Sequence, residues 1–176
     1  SYLGDTFFEL KNLPKAIENY RKSLEILEPL GGKDALNEPL IQDTANIRSS
    51  YAYSLAATGT TNESFDSFKK IIPIFEQKYE KDKTDKMTHF RIAMAKEGLA
   101  VTLNNIANQP DKPKSERISV LETAIENYKQ SLEIYKIYQN SSESAPNFNV
   151  DVDKAVTEVT EAKNKCEEKL IRLSQK

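Results

Sequence analysis

Residues Ala16-Ile17-Glu18-Asn19-Tyr20-Arg21-Lys22-Ser23-Leu24-Glu25-Ile26 recur as Ala124-Ile125-Glu126-Asn127-Tyr128-Lys129-Gln130-Ser131-Leu132-Glu133-Ile134. Nine of the eleven positions are identical, and the two that differ carry polar residues of the kind found on surfaces. Self-similarity at this level marks a repeat architecture, in which each unit buries its apolar face only by stacking on the next. Function in such an array belongs to a surface, so the sequence points to binding in preference to catalysis. With 38% apolar and 30% charged residues, the chain has the surface-rich balance of slender helical arrays. It holds only 5 Gly and no Trp, which leaves little room for hairpins and favours helix.

Apolar spacing and punctuation set the expected elements. A short helix spans Ser1 to Lys11 with Leu3, Phe7 and Leu10 on one stripe. Asn12-Leu13-Pro14 is a turn with Pro at the start of the next helix, where no backbone donor is needed. That helix runs from about Leu13 to Leu30, with Ala16, Ile17, Tyr20, Leu24 and Leu27 inward, and Pro29, Gly31 and Gly32 are expected to end it. Pro39 opens a helix to about Thr58, closed by Gly59, with Ile41, Ala45, Tyr51, Ala52 and Leu55 inward. Asn62-Glu63 starts a further helix to about Lys81, with Phe65, Phe68, Ile71, Ile72 and Phe75 inward and a kink expected at Pro73.

The third pair begins near Thr84 and runs to about Asn108, with Ile92, Ala95, Leu99, Leu103 and Ile106 inward. Its partner starts near Ser115, expected as the N-cap, and reaches about Gln139. Residues 109–114 read as an exposed loop and Asn140 to Asn149 as a polar connection. The last helix, from about Asp151 to Leu173, carries one apolar stripe (Ala155, Val159, Ala162, Cys166, Leu170, Leu173), as a terminal cap should.

These residues resemble the tetratricopeptide repeat. Leu3-Gly4, Phe7, Ala16, Tyr20 and Ser23 match its pattern without a gap, and Pro29 falls one residue past the usual stop. Tyr51-Ala52, Leu55, Gly59, Ser64, Phe68 and Ile71 form a degenerate second copy; Leu99-Ala100, Leu103, Ala124, Tyr128 and Ser131 form the third. Small residues in the pattern (Gly4, Ala52 and Ala100; Ala16, Ser64 and Ala124) let helices approach, and the aromatics fill the space between neighbours. The resemblance implies a single all-α domain, a right-handed α-α superhelix of three helix pairs and a C-terminal capping helix. The repeats fall at about 1–30, 40–81 and 84–139, with the cap at about 151–173. Positions 16, 64 and 124 lie 48 and then 60 residues apart, longer than the family's 34-residue period. Such elongated copies look similar to the arrays attached to bacterial serine/threonine kinases.

The family binds extended peptides or partner helices in a concave groove lined by the first helix of each repeat. That face maps to Asp5, Phe8 and Glu9 in the first copy, to Ser49, Tyr53, Ala56 and Ala57 in the second, and to Glu97, Val101, Asn104 and Asn105 in the third. The family's Lys/Asn clamp for acidic chaperone C-terminal tails is missing, since Ser1 and Asp5 stand at its first two positions. Asp5 and Glu9 would repel a carboxylate. Phe8, Tyr53 and Val101 offer apolar anchors instead. The expected role is a non-enzymatic module for a protein or peptide; the alternative is a regulatory domain of a larger enzyme such as a kinase.

Other classes find no support in the residues. Net charge is −2, and no segment concentrates enough Lys and Arg to attract nucleic acid. No apolar run approaches the roughly 18 residues of a membrane span. His89 is the only histidine and reads as a polar residue on a long helix, so neither a His-based metal site nor a Ser-His triad has its parts. Lone Cys166 lies on the capping helix's apolar stripe and reads as a small buried residue. No catalytic residue, cofactor or metal is expected. The chain reads as a piece of something longer, and the cytoplasm is the favoured compartment.

Overall fold

The computed structural model describes residues 2–33, 37–140 and 150–175, with residues 32 and 33 described by their backbone alone. The fold is all-α: seven helices and no strand occur among the described residues. They are α1 (Tyr2–Glu9), α2 (Leu13–Lys33), α3 (Glu38–Thr58), α4 (Thr61–Lys81), α5 (Lys86–Ala107), α6 (Lys114–Asn140) and α7 (Val152–Ser174). The chain divides into two compact units, Ser1–Ile74 and Phe75–Lys176, with consecutive helices packed together in each.

In the first unit, α1 and α2 are joined by a tight turn in which Lys11 takes a left-handed conformation, φ 57°. The Asn12 amide donates to the Phe7 carbonyl at 2.8 Å, and the Asn12 carbonyl accepts the first bond of α2, from the Ala16 amide at 3.0 Å. Gly4 is the one buried residue of α1. The expected stripe of Leu3, Phe7 and Leu10 does not form: Phe7 is half-buried, whereas Leu3 is 63% and Leu10 70% exposed. An eight-residue helix lying against a single neighbour has one narrow contact line, and here Gly4 and Phe7 occupy it.

Helix α2 also differs from expectation, because it continues past Pro29 and Gly31 to Lys33. Pro and Gly weaken a helix, and Glu28, Pro29 and Leu30 are exposed there; among the described residues, the Glu28–Arg48 ion pair ties this end to α3. The ends of α3 follow their signals. Asn37 accepts from the Leu40 amide at 3.0 Å, and Gly59 takes φ 78° to close the helix. Ala45, Tyr51, Ala52 and Leu55 are buried, and Ile41 is half-buried. Helix α4 docks on α3 where Ser64 Oγ donates to the Ala52 carbonyl at 2.9 Å, a contact that requires small residues on both sides. Phe68, Ile71 and Ile72 are buried beyond it, Phe65 is half-buried, and α4 passes Pro73 unbroken.

The second unit opens with the end of α4, where Phe75 is buried and Glu76 pairs with Lys96 of α5 at 2.8 Å. Asp85 caps α5 by accepting from the Thr88 amide at 2.9 Å. Beyond the expected Ile92, Ala95, Leu99 and Leu103, α5 buries a second face of Phe90, Ala93, Ala100 and Ala107. Ile106 is only half-buried. The second face packs with Leu121, Tyr128, Leu132 and Tyr135 of α6. Ser115 is not the N-cap of α6. The Pro113 carbonyl accepts from the Arg117 amide at 3.0 Å, so the helix begins at Lys114 and Ser115 lies exposed inside its first turn. Arg117 also ties the α5–α6 loop, its Nε donating to the Ala107 carbonyl at 2.8 Å.

Helix α7 starts at its Asp151 cap and lays Ala155, Val159, Ala162, Cys166, Leu170 and Leu173 against this core. Lys154, Glu158, Glu161, Lys165 and Glu168 on its other side are exposed. The polar connection expected at residues 140–149 lies, beyond Asn140, outside the described residues.

Candidate binding surface

The two copies of the repeated segment carry the same load. Ala16 and Ala124, Tyr20 and Tyr128, and Leu24 and Leu132 are all buried. Of the two positions that differ, Arg21 and Lys129 are both exposed. The other has a local reason: Gln130 accepts from Lys96 Nζ at 2.8 Å, where a lysine like Lys22 would repel.

Seven of the groove residues expected from the sequence belong to the first unit. Asp5 is exposed and accepts from the Tyr20 hydroxyl at 2.8 Å. Burial, with the Asp5 hydrogen bond second, holds that phenol well above its usual pKa. Phe8 is 41% exposed and Glu9 is exposed. On α3, Ser49 and Tyr53 are half-buried, Ala57 is exposed and Ala56 is buried at 6% exposure. The Tyr53 ring meets Phe68 edge to face at 5.2 Å, which fixes its orientation from α4. Tyr53 is thus held against α4 and is half-buried.

The remaining four, Glu97, Val101, Asn104 and Asn105, lie half-buried on α5 in the second unit. Three of them are engaged by later helices. Glu97 accepts from the Tyr135 hydroxyl of α6 at 2.8 Å. Burial raises the Glu97 carboxyl above the ordinary carboxylate range, against the lowering effect of that hydrogen bond. Val101 packs on the core shared with α6 and α7. Asn104 and Asn108 both accept from Lys169 Nζ of α7, at 2.7 and 2.8 Å. The sequence places these residues on a helix face, but nothing local in it pairs Glu97 with Tyr135 or Asn104 with Lys169, which lie 38 and 65 positions away.

His89 is packed. Its ring stacks on Tyr79 with centroids 4.2 Å apart and planes within 2°. Its Nδ1 lies 3.1 Å from the Tyr138 hydroxyl, which in turn donates to the Lys86 carbonyl at 3.2 Å. The phenol oxygen thus links the imidazole to the backbone at the start of α5. Burial, then the charge of Lys83, pushes the imidazole below its usual pKa. Cys166 is fully buried, and burial raises its thiol pKa, which disfavours the reactive thiolate. Among the described residues no group of three or more His, Cys, Asp or Glu could hold a metal ion. No described helix is long and apolar enough to cross a membrane.

No known protein family, curated protein or solved structure matches this chain.

Proposed function

We propose that the chain is a tetratricopeptide-like array that binds a peptide or an amphipathic partner helix and does no chemistry of its own. The observation that carries this reading is the duplicated segment, whose alanine, tyrosine and leucine are buried both times. Duplication of a packing unit builds surface, and in repeat arrays surface is what serves the cell. Phe8 and Tyr53 supply the kind of half-open aromatic that anchors interfaces, with exposed Ala57 leaving space for a partner backbone. The partner recognised by such a face presents apolar side chains, not an acidic C-terminal tail, because Asp5 and Glu9 add negative charge beside it.

Phe8→Ala is the sharper probe, since Tyr53→Ala would also remove the edge contact with Phe68. Proteins retained by the purified chain should bind the Phe8→Ala variant about 2 kcal/mol more weakly, the size of an interface hot spot. Ala57→Arg should weaken them comparably by obstruction. Glu126→Ala, on the exposed side of the duplicated segment in α6, is the control and should leave binding unchanged. Equal losses from the Phe8 and Glu126 variants would remove the assignment, and so would tight binding of an acidic tail peptide.

A further inference from the structure

Helices α2, α3 and α4 of the first unit leave a crevice of about 230 Å³ between them. Its floor is aliphatic, built from Ile41, Ala45, Ile71 and Ile74, and its rim carries Glu28, Arg48 and Lys70. Arg48 is only 14% exposed and pairs with the Glu28 carboxylate. A guanidinium has five donor hydrogens, and one carboxylate engages at most two of them in a fork. Lys70 is exposed and has no ion-pair partner among the described residues. The charges of the described residues that line it sum to one positive in excess, above an apolar floor, and Glu63 also acts on Arg48 from outside the lining. An apolar cavity of roughly 150 Å³ admits a six-carbon ring, so this space suits about six to nine carbons.

From this charge and volume we infer that the crevice binds a short aliphatic carboxylate, its tail against Ile41, Ala45, Ile71 and Ile74 and its head group between Arg48 and Lys70. The head group gains charge-assisted hydrogen bonds from a cation that is already largely stripped of water, and the tail leaves water for the floor. A neutral chain of the same length gains only the second. This inference stands apart from the peptide-binding role proposed above.

The test is a titration of the full chain with octanoate, followed by methyl NMR of isoleucine and alanine. Saturable shifts confined to Ile41, Ala45, Ile71 and Ile74 are expected. Octanol should bind about tenfold more weakly, and Arg48→Gln should weaken octanoate by a similar factor. Lys70→Gln, at an exposed position that leaves the fold intact, should weaken it severalfold and decides the matter if the Arg48 variant does not fold. Octanol binding as tightly as octanoate, shifts scattered over other methyls, or unchanged affinity in the Lys70 variant would each overturn the assignment.

Discussion

Gly4 shows how one missing atom can position two helices. A Cβ built on it would lie 2.5 and 2.6 Å from two carbons of the Tyr20 ring, well inside van der Waals contact. The ring is fully buried and held by Asp5, so it has nowhere to retreat. Gly4→Ala should therefore destabilise the protein by about 1–3 kcal/mol, as overpacking does, although alanine is the better helix former. Urea unfolding measures it, and an unchanged midpoint would show that the ring moves aside. His89 gives a second expectation. Its folded pKa lies below the ordinary value of 6.5, so the unfolded chain binds the proton more readily. Its contribution to stability is complete above that value and is lost as pH falls from about 6.5 through the depressed pKa. Glu97 acts in the opposite sense, its contribution being lost as pH rises from its ordinary value of 4.5 through the raised folded pKa. The comparison must therefore be between the protein and its His89→Gln variant: the urea midpoint should fall more steeply between pH 7.5 and 5.5 in the parent. The sequence singled out Gly4, Tyr20 and His89, but gave no sign that Tyr79 and Tyr138 enclose the imidazole, because those contacts join three separate helices.

The helices were legible wherever a local signal and the packing agree. Asn37, Gly59 and Asp151 each cap a helix with a side chain or a left-handed turn, and those boundaries fall within a residue or two of expectation. The misses are local ones. Pro29 and Gly31 are stop signals by propensity, yet α2 runs on to Lys33, and Ser115 is a good cap displaced by the Pro113 carbonyl. Helix α7 tests the same logic at a larger cost. Its stripe covers a core that includes Phe90, Tyr128 and Tyr135. Deleting residues 151–176 should uncover that core, and the truncated chain should bind a hydrophobic dye or aggregate. A dye-silent monomer with unchanged melting would end the capping role.

At the scale of the molecule, the partly buried pairs Glu28–Arg48 and Glu76–Lys96 join neighbouring helices, whereas the exposed pairs contribute little. The pairs Glu18–Lys22, Glu80–Lys83, Lys154–Glu158 and Glu168–Arg172 are all solvent-exposed and only three or four residues apart, so each contributes little. With a net charge of −2 there is also little overall repulsion to screen. Raising sodium chloride from 50 to 500 mM should accordingly shift the thermal midpoint by only about 2–3 °C, whereas a large drop would reveal a charge network that holds the fold. The same surface explains why the candidate groove was harder to read than the core: burial follows apolar period, but the partners of Glu97 and Asn104 depend on where α6 and α7 come to rest. The two near-identical segments carry a further consequence. A chain that has not finished folding owns two copies of one key, and either could try the other's lock. Beside Gly4 stands Asp5, whose carboxylate accepts the hydrogen bond of the Tyr20 phenol; at the matching place beside Ala100 stands Val101, whose side chain can accept none. Either copy would offer Asp5 the same tyrosine, so the carboxylate marks the address and not the copy; what tells the copies apart is the position where Gln130 accepts from Lys96 and Lys22 would repel.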